Sequence, residues 1–241
     1  MNRMTNEFGN RREFLTKTGI ILTGAAAICS SINVGQAQEK TKMHQIEDVS
    51  PPEDLMREHG VLRRILLIYD CIEGCLNCGK EFPPEVLSNA ANIIRKFVEE
   101  YHEKLEEQHI FPRFEKAGKL TELVKILKEQ HKAGRLLTEY IKKSSAAAAT
   151  LKEAGKRKEL AEKIHFFSRM YRPHAAREDT ILFPAFRSIV SVQEFDSLGE
   201  SFEEQEDALF GEGGFEKVVA QVADLEKLLG IYELKQFTPP K

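Results

Sequence analysis

The stretch HEKLEEQHIFPRF, residues 102–114, lies over HAAREDTILFPAF, residues 174–186, at an offset of 72 residues. The offset pairs His102 with His174, Glu106 with Glu178, Phe111 with Phe183, Pro112 with Pro184 and Phe114 with Phe186. Glu107 falls on Asp179, a conservative change. Outward from this stretch the same offset pairs His59 with His131 and Arg63 with Arg135, so 43 residues separate the two histidines in each half. Core packing tolerates exchange among apolar residues of similar size and does not demand histidine and glutamate twice at matching places. A symmetric site for a pair of metal ions does. On a helix, residues four apart share a face, so His102/Glu106 and His174/Glu178 each present an imidazole and a carboxylate together.

The flanking sequence reads as helix. The chain holds 35 basic and 38 acidic residues for a net charge of −3, has no Trp, and carries Gly and Pro mostly at segment ends. This balance speaks against nucleic acid or an anionic membrane as partner and favours an all-α domain. Pro51-Pro52-Glu53-Asp54 reads as a helix start. Apolar residues recur at helical spacing from Leu55 to about Ile72. A second helix is expected from Pro84 to about Phe114. A third runs from a Thr121 cap to about Leu151, and a fourth from about Lys156 to Val190. Four long helices joined by short turns imply an antiparallel up-down-up-down four-helix bundle over residues 51–190, with one histidine of the set on each helix. Pro112 and Pro184 are expected to kink or end their helices. Residues 191–241 lie outside the repeat and form a short C-terminal helical extension, with helices at Val192–Phe210 and Glu216–Leu229 and an extended tail from Phe237.

The N-terminus reads as a targeting segment. Asn10-Arg11-Arg12-Glu13-Phe14-Leu15-Thr16-Lys17 resembles a twin-arginine export signal, and an uncharged, fairly apolar stretch follows from Thr18 to about Ile32. That stretch is too short and too rich in Gly, Ser and Thr for a good spanning helix, so no stable membrane anchor is expected. Small residues Gly35 and Ala37 place cleavage after Ala37, giving a signal peptide of residues 1–37 and a linker of 38–50. The expected location is periplasmic, reached through the twin-arginine machinery. Cys71, Cys75 and Cys78 spell C-x3-C-x2-C, which resembles the cluster motif of radical S-adenosylmethionine enzymes. Those enzymes need βα alternation, and none is visible. Three cysteines at a helix end in an oxidising compartment leave one disulfide possible and one thiol over.

Four imidazoles and two carboxylates converging in a bundle suit two transition-metal ions, with the carboxylates bridging. These residues resemble the hemerythrin-like (HHE cation-binding) family over roughly residues 55–190. In that family a lone His comes from helix one, H-x3-E from helix two, a His from helix three and a second His/carboxylate pair from helix four. The resemblance implies two non-haem iron ions in an oxygen-bridged centre. His59 and His102 then serve one ion, His131 and His174 the other, and Glu106 and Glu178 bridge. Two positions depart from the oxygen-carrying members. Arg135 stands where they place a second histidine one turn along helix three. Their fourth-helix carboxylate lies five residues after the histidine, whereas here Glu178 is at four and Asp179 at five; repeat symmetry favours Glu178. The departure at Arg135 leaves one ion short of a nitrogen, with an open position or a ligand from elsewhere, for which Glu203, Glu204 and Glu206 are candidates.

The resemblance implies a small-molecule binding protein for dioxygen, nitric oxide or peroxide. An enzyme of the diiron oxidase or peroxidase type and a protein that stores or donates iron are the alternatives. A ferritin-like arrangement would instead use the Glu-x-x-His pairs Glu106/His109 and Glu162/His165, which sit at unrelated places in the repeat. His44 in the linker and His165 are expected to be structural, and His109 to stand outside the ligand set. Arg63 and Arg135 read as an architectural pair facing carboxylates.

Overall fold

The computed structural model describes residues 49–146 and 152–240. The proposed signal peptide, and the linker up to residue 48, lie outside the described residues. All regular structure among the described residues is helical. Helix α1 is Pro51–Cys78. Its first turn is fixed by the Glu53 carboxylate, which accepts from both the Ser50 backbone N–H (3.1 Å) and hydroxyl (2.7 Å). Its last turn closes on Gly79, which at φ 66° takes the left-handed conformation open to glycine. The apolar pattern thus continues past Ile72 to the cysteines.

Helix α2 occupies residues 84–117 and helix α4 residues 154–186. Neither is a plain α-helix. Each contains a π-turn one turn after the site histidine and opening on the site glutamate: Glu106–Ile110 in α2 and Glu178–Leu182 in α4. The two turns are related by the same 72-residue offset. The prolines do not end their helices, because α2 runs on to Ala117 and α4 to Phe186. A proline lacks the N–H for the i−4 bond, and its ring crowds that carbonyl. Widening the preceding turn so that Phe111 N–H reaches Glu106 C=O, and Phe183 N–H reaches Glu178 C=O, lets the helix absorb the proline. A further π segment, Ile94–His102, has no counterpart in α4.

Helix α3, Thr121–Ala146, starts after Leu120, whose C=O accepts from Val124 N–H (3.0 Å); Thr121 is therefore the first helical residue and not the cap. Helix α5 is Val192–Phe210, with Ser191 capping Glu194 N–H, and α6 is Gly214–Leu228. The tail is a 3₁₀ turn at Leu234–Phe237 before it becomes extended. Helix α1 packs on α4, α4 on α3, α3 on α2 and α2 on α1, while α5 and α6 lie against α1, and α6 also against α2. The four long helices enclose one core that includes Tyr69, Phe97, Phe111, Phe114, Phe167, Phe183 and Phe186. No helix among the described residues is long and apolar enough to cross a membrane.

Candidate metal centre

The six sequence-predicted residues meet in the middle of this core. His59 comes from α1, His102 and Glu106 from α2, His131 from α3, and His174 and Glu178 from α4; all six are buried. The Nε2 atoms face each other in pairs, His59 to His102 at 3.1 Å and His131 to His174 at 3.2 Å. The glutamates lie between the pairs. Glu178 Oε2 is 3.4 Å from His59 Nε2 and 3.1 Å from His174 Nε2. Glu106 is 3.6 Å from His102 Nε2 and 3.4 Å from His131 Nε2, through different oxygens. Each carboxylate therefore spans both halves of the repeat.

Every Nδ1 points outward to an oxygen. His59 Nδ1 meets Asp179 (2.7 Å), His102 meets Glu58 (2.7 Å), His131 meets Glu107 (3.2 Å) and His174 meets Gln130 (2.9 Å). These partners obey the repeat: Asp179 matches Glu107, and Gln130 matches Glu58. An oxygen acceptor at Nδ1 holds that proton there and leaves the Nε2 lone pair aimed inward. Glu178 and Asp179 thus divide their work, the first facing the centre and the second orienting His59. Arg63 pairs with Asp179, and Arg135 pairs with Glu107 (2.6 Å) and Glu103 (2.7 Å), so both arginines neutralise the outer carboxylates.

The profile described as the Hemerythrin HHE cation binding domain matches residues 50–186. The chain belongs to this family. Among curated proteins it is similar to uncharacterized proteins of Mycobacterium bovis and of two Mycobacterium tuberculosis strains. Each is 48% identical over 207 residues, covering 85% of this chain and 80% of the relative. No solved structure matches the chain.

The donor set of this HHE domain fits a cation. The four oxygens of Glu106 and Glu178 are buried and make no hydrogen bond, a costly state for carboxylates unless positive charge lies among them. Facing Nε2 atoms at 3.1–3.2 Å need either a proton between them or a cation in its place. The two triads His59/His102/Glu106 and His131/His174/Glu178 each gather donor atoms close enough to share one ion. Without metal the charges are in tension. Burial pushes Glu106 up, helped by the charge of Glu178. Burial acts the same way on Glu178, but His174 and His59 outweigh it and hold that carboxyl well below its usual range. Burial lowers His102, and it takes His131 down to about 4. Burial opposes protonation of His59 too, yet Asp179 and Glu178 raise it to about 9.

Asymmetry enters outside the ligand layer. Glu103 is buried, accepts from the Tyr171 hydroxyl (2.6 Å) and pairs with Arg135; burial lifts its carboxyl to about 8. Glu103 and Glu107 with His131 also gather as a possible cation group, and the Arg135 guanidinium already supplies positive charge there. The arginine at the departure point is thus paired off outside the centre. The C-terminal extension does fold back, but on the other side. Glu206 is buried beside Asp54 and Glu58, donates nothing to the centre, and accepts from Phe215 N–H (2.8 Å). His109 stands apart against Phe202, and His165 lies at the surface beside Glu73 (3.2 Å), with Glu162 exposed. The Glu-x-x-His pairs of a ferritin-like site therefore do not converge.

Proposed function

We propose that this protein is a non-haem diiron protein whose iron pair takes up dioxygen or a related small molecule such as nitric oxide or peroxide. His59 and His102 would hold one ion, His131 and His174 the other, and Glu106 and Glu178 would span them. The observation that carries this reading is the twofold donor set: four inward Nε2 atoms, each fixed by an outer Nδ1 partner, around two buried carboxylates without hydrogen bonds. Bound iron would supply the redox chemistry and the affinity for the small molecule. The chain supplies the rest. Outer carboxylates keep the imidazoles in one tautomer. Phe183 stacks on His59 at 5.6 Å between centroids and Phe111 on His131 at 5.4 Å, walling the centre from water with apolar rings. A dry apolar wall favours holding a small neutral molecule over hydrolytic or open redox turnover, which ranks binding above oxidase or peroxidase activity and above iron storage.

The same reading takes residues 51–190 as an antiparallel up-down-up-down bundle, with 191–241 as its helical extension. It also takes residues 1–37 as a twin-arginine signal that delivers the folded protein to the periplasm. The test is metal analysis with visible spectra of the purified protein, reduced without air and then re-exposed. Two irons per chain with an absorption band that appears with oxygen and is lost on its removal is the expected result. Zinc, or no metal, would overturn the reading. Two irons that oxidise without a reversible band would move it to oxygen or peroxide turnover.

A further inference from the structure

The C-x3-C-x2-C motif takes no part in the centre. Cys71, Cys75 and Cys78 lie on the last two turns of α1, and all three are free thiols, the first two half-buried and the third exposed. At about 100° per residue they fall within an arc of about 60° on one helix face. Between them, Ile72 and Leu76 are buried in the core and hold this end of the helix down. The end is also capped: Lys80 N–H donates to Cys75 C=O at 2.9 Å, around the left-handed Gly79. The thiols are thus carried on a fixed lattice. At about 1.5 Å per residue, Cys71 is about 18 Å along the axis from His59, well clear of the His/Glu centre.

That lattice decides between the two reactions open to paired thiols. Side chains three or four apart on a helix have Cβ atoms about 5–6 Å apart, whereas a disulfide needs about 3.5–4.5 Å. Closing a disulfide would require unwinding a capped turn and lifting Ile72 or Leu76 from the core. An ion held by two bonds of ~2.3 Å spans up to ~4.6 Å between sulfurs, which side chains on neighbouring turns reach without moving the backbone. Cys71 and Cys75 are one turn apart, and burial, helped by Cys75, lifts the Cys71 thiol, which makes it a poor free nucleophile.

We propose that Cys75, paired with Cys71 or with Cys78, forms a second cation site, for a soft thiophilic ion of the copper(I) type, on the outer face of α1. Soft thiolates select such ions over the harder ones that suit imidazole and carboxylate. Cys75 is the shared member: it neighbours Cys71 at four residues and Cys78 at three, while Cys71 and Cys78 are ~10.5 Å apart along the axis and cannot share an ion in an intact helix. Each thiol that ligates releases one proton to solvent.

The test uses the full chain and copper(I) alone, supplied without air against a chromophoric copper(I) chelator. Four proteins are compared: the parent, Cys75→Ser, Cys75→Ala and His174→Ala. The expected result is copper(I) retained by the parent and by His174→Ala, with near-ultraviolet thiolate-to-copper absorption, and lost in both Cys75 variants. Circular dichroism checks that all four are equally helical. Two Cys75 replacements guard against one of them failing to fold. A parent that yields its copper(I) to the chelator, or Cys75 variants that retain it as well as the parent, would overturn the proposal. So would a Cys71–Cys75 disulfide found by mass spectrometry in untreated protein.

Discussion

Gly134 sits inside α3, where replacing glycine by alanine ordinarily stabilises a helix by up to ~1 kcal/mol. Here the sign should reverse. A Cβ at position 134 would collide with the Tyr171 hydroxyl and meet its ring carbons at 2.7 and 2.8 Å. Tyr171 cannot swing away freely, because it is buried, packs on Phe167 at 4.4 Å and on His174 at 5.3 Å, and donates to Glu103. Overpacking a fixed ring costs ~1–3 kcal/mol, and separating the buried hydroxyl from its carboxylate a further ~1–3 kcal/mol. After the propensity gain, Gly134→Ala should lose about 3 kcal/mol. At ~2–4 °C per kcal/mol for a domain of this size, the thermal midpoint should fall by about 6–12 °C. The assay is thermal denaturation followed by far-ultraviolet circular dichroism on metal-free protein. Adding Tyr171→Phe to Gly134→Ala removes the colliding oxygen and should recover part of the loss. A Gly134→Ala protein as stable as the parent, or more so, would refute the reasoning.

His174→Ala should lose at least one metal ion per chain while keeping its helicity; full occupancy by elemental analysis would reject the ligand assignment. Removing an outer partner should be milder: Glu58→Ala or Gln130→Ala should weaken metal retention in chelator competition ~10–100-fold, and unchanged retention would show that Nδ1 orientation is idle. Burial, opposed by Thr138 and Arg95, raises the Glu99 carboxyl above the ordinary carboxylate range. A carboxyl raised by folding favours the folded state while protonated, below its unfolded pKa, and that contribution is lost as pH rises through the folded value. Glu99→Gln should therefore gain stability relative to the parent on going from pH 4 to pH 8, read as the difference in thermal midpoints; a pH-independent difference would contradict the sign. Stripping metal with a chelator should lower the midpoint, and re-adding iron should restore it.

The six converging residues and their helices were legible because the repeat prints each of them twice. The outer layer was only half legible. Glu107 and Asp179 stood out as a pair, but Glu58 and Gln130 differ in charge, and a Glu facing a Gln looks like surface drift until both are seen on Nδ1 atoms. The offset alone would have found them. The Glu103–Tyr171 link had no such signal, since the repeat places Ala175 opposite Glu103 and Glu99 opposite Tyr171. Gly134, which makes room for that tyrosine, lies opposite Leu62 and reads in sequence only as a weak point in a helix. The π-turns were hidden for a different reason. One extra residue in a turn shifts the phase of everything beyond it, so a fixed 3.6-residue reading cannot register them. The prolines marked the right places, and the helices run past them through a widened turn. The cysteines were read as leaving one disulfide possible and one thiol over, and all three stand as free thiols on α1.

Glu178 touches histidines of both halves, and so does Glu106. His59 stands near the start of the bundle, while both acids it faces, Glu178 and Asp179, come near its end. During synthesis the nascent chain therefore lacks the full set of six donors until residue 178 has been made and α4 has closed. Loading becomes a late event in biogenesis, and a truncated or mispaired chain has no competent cradle to fill. Metal occupancy would then report that the chain was made through α4 and that its four long helices were correctly assembled.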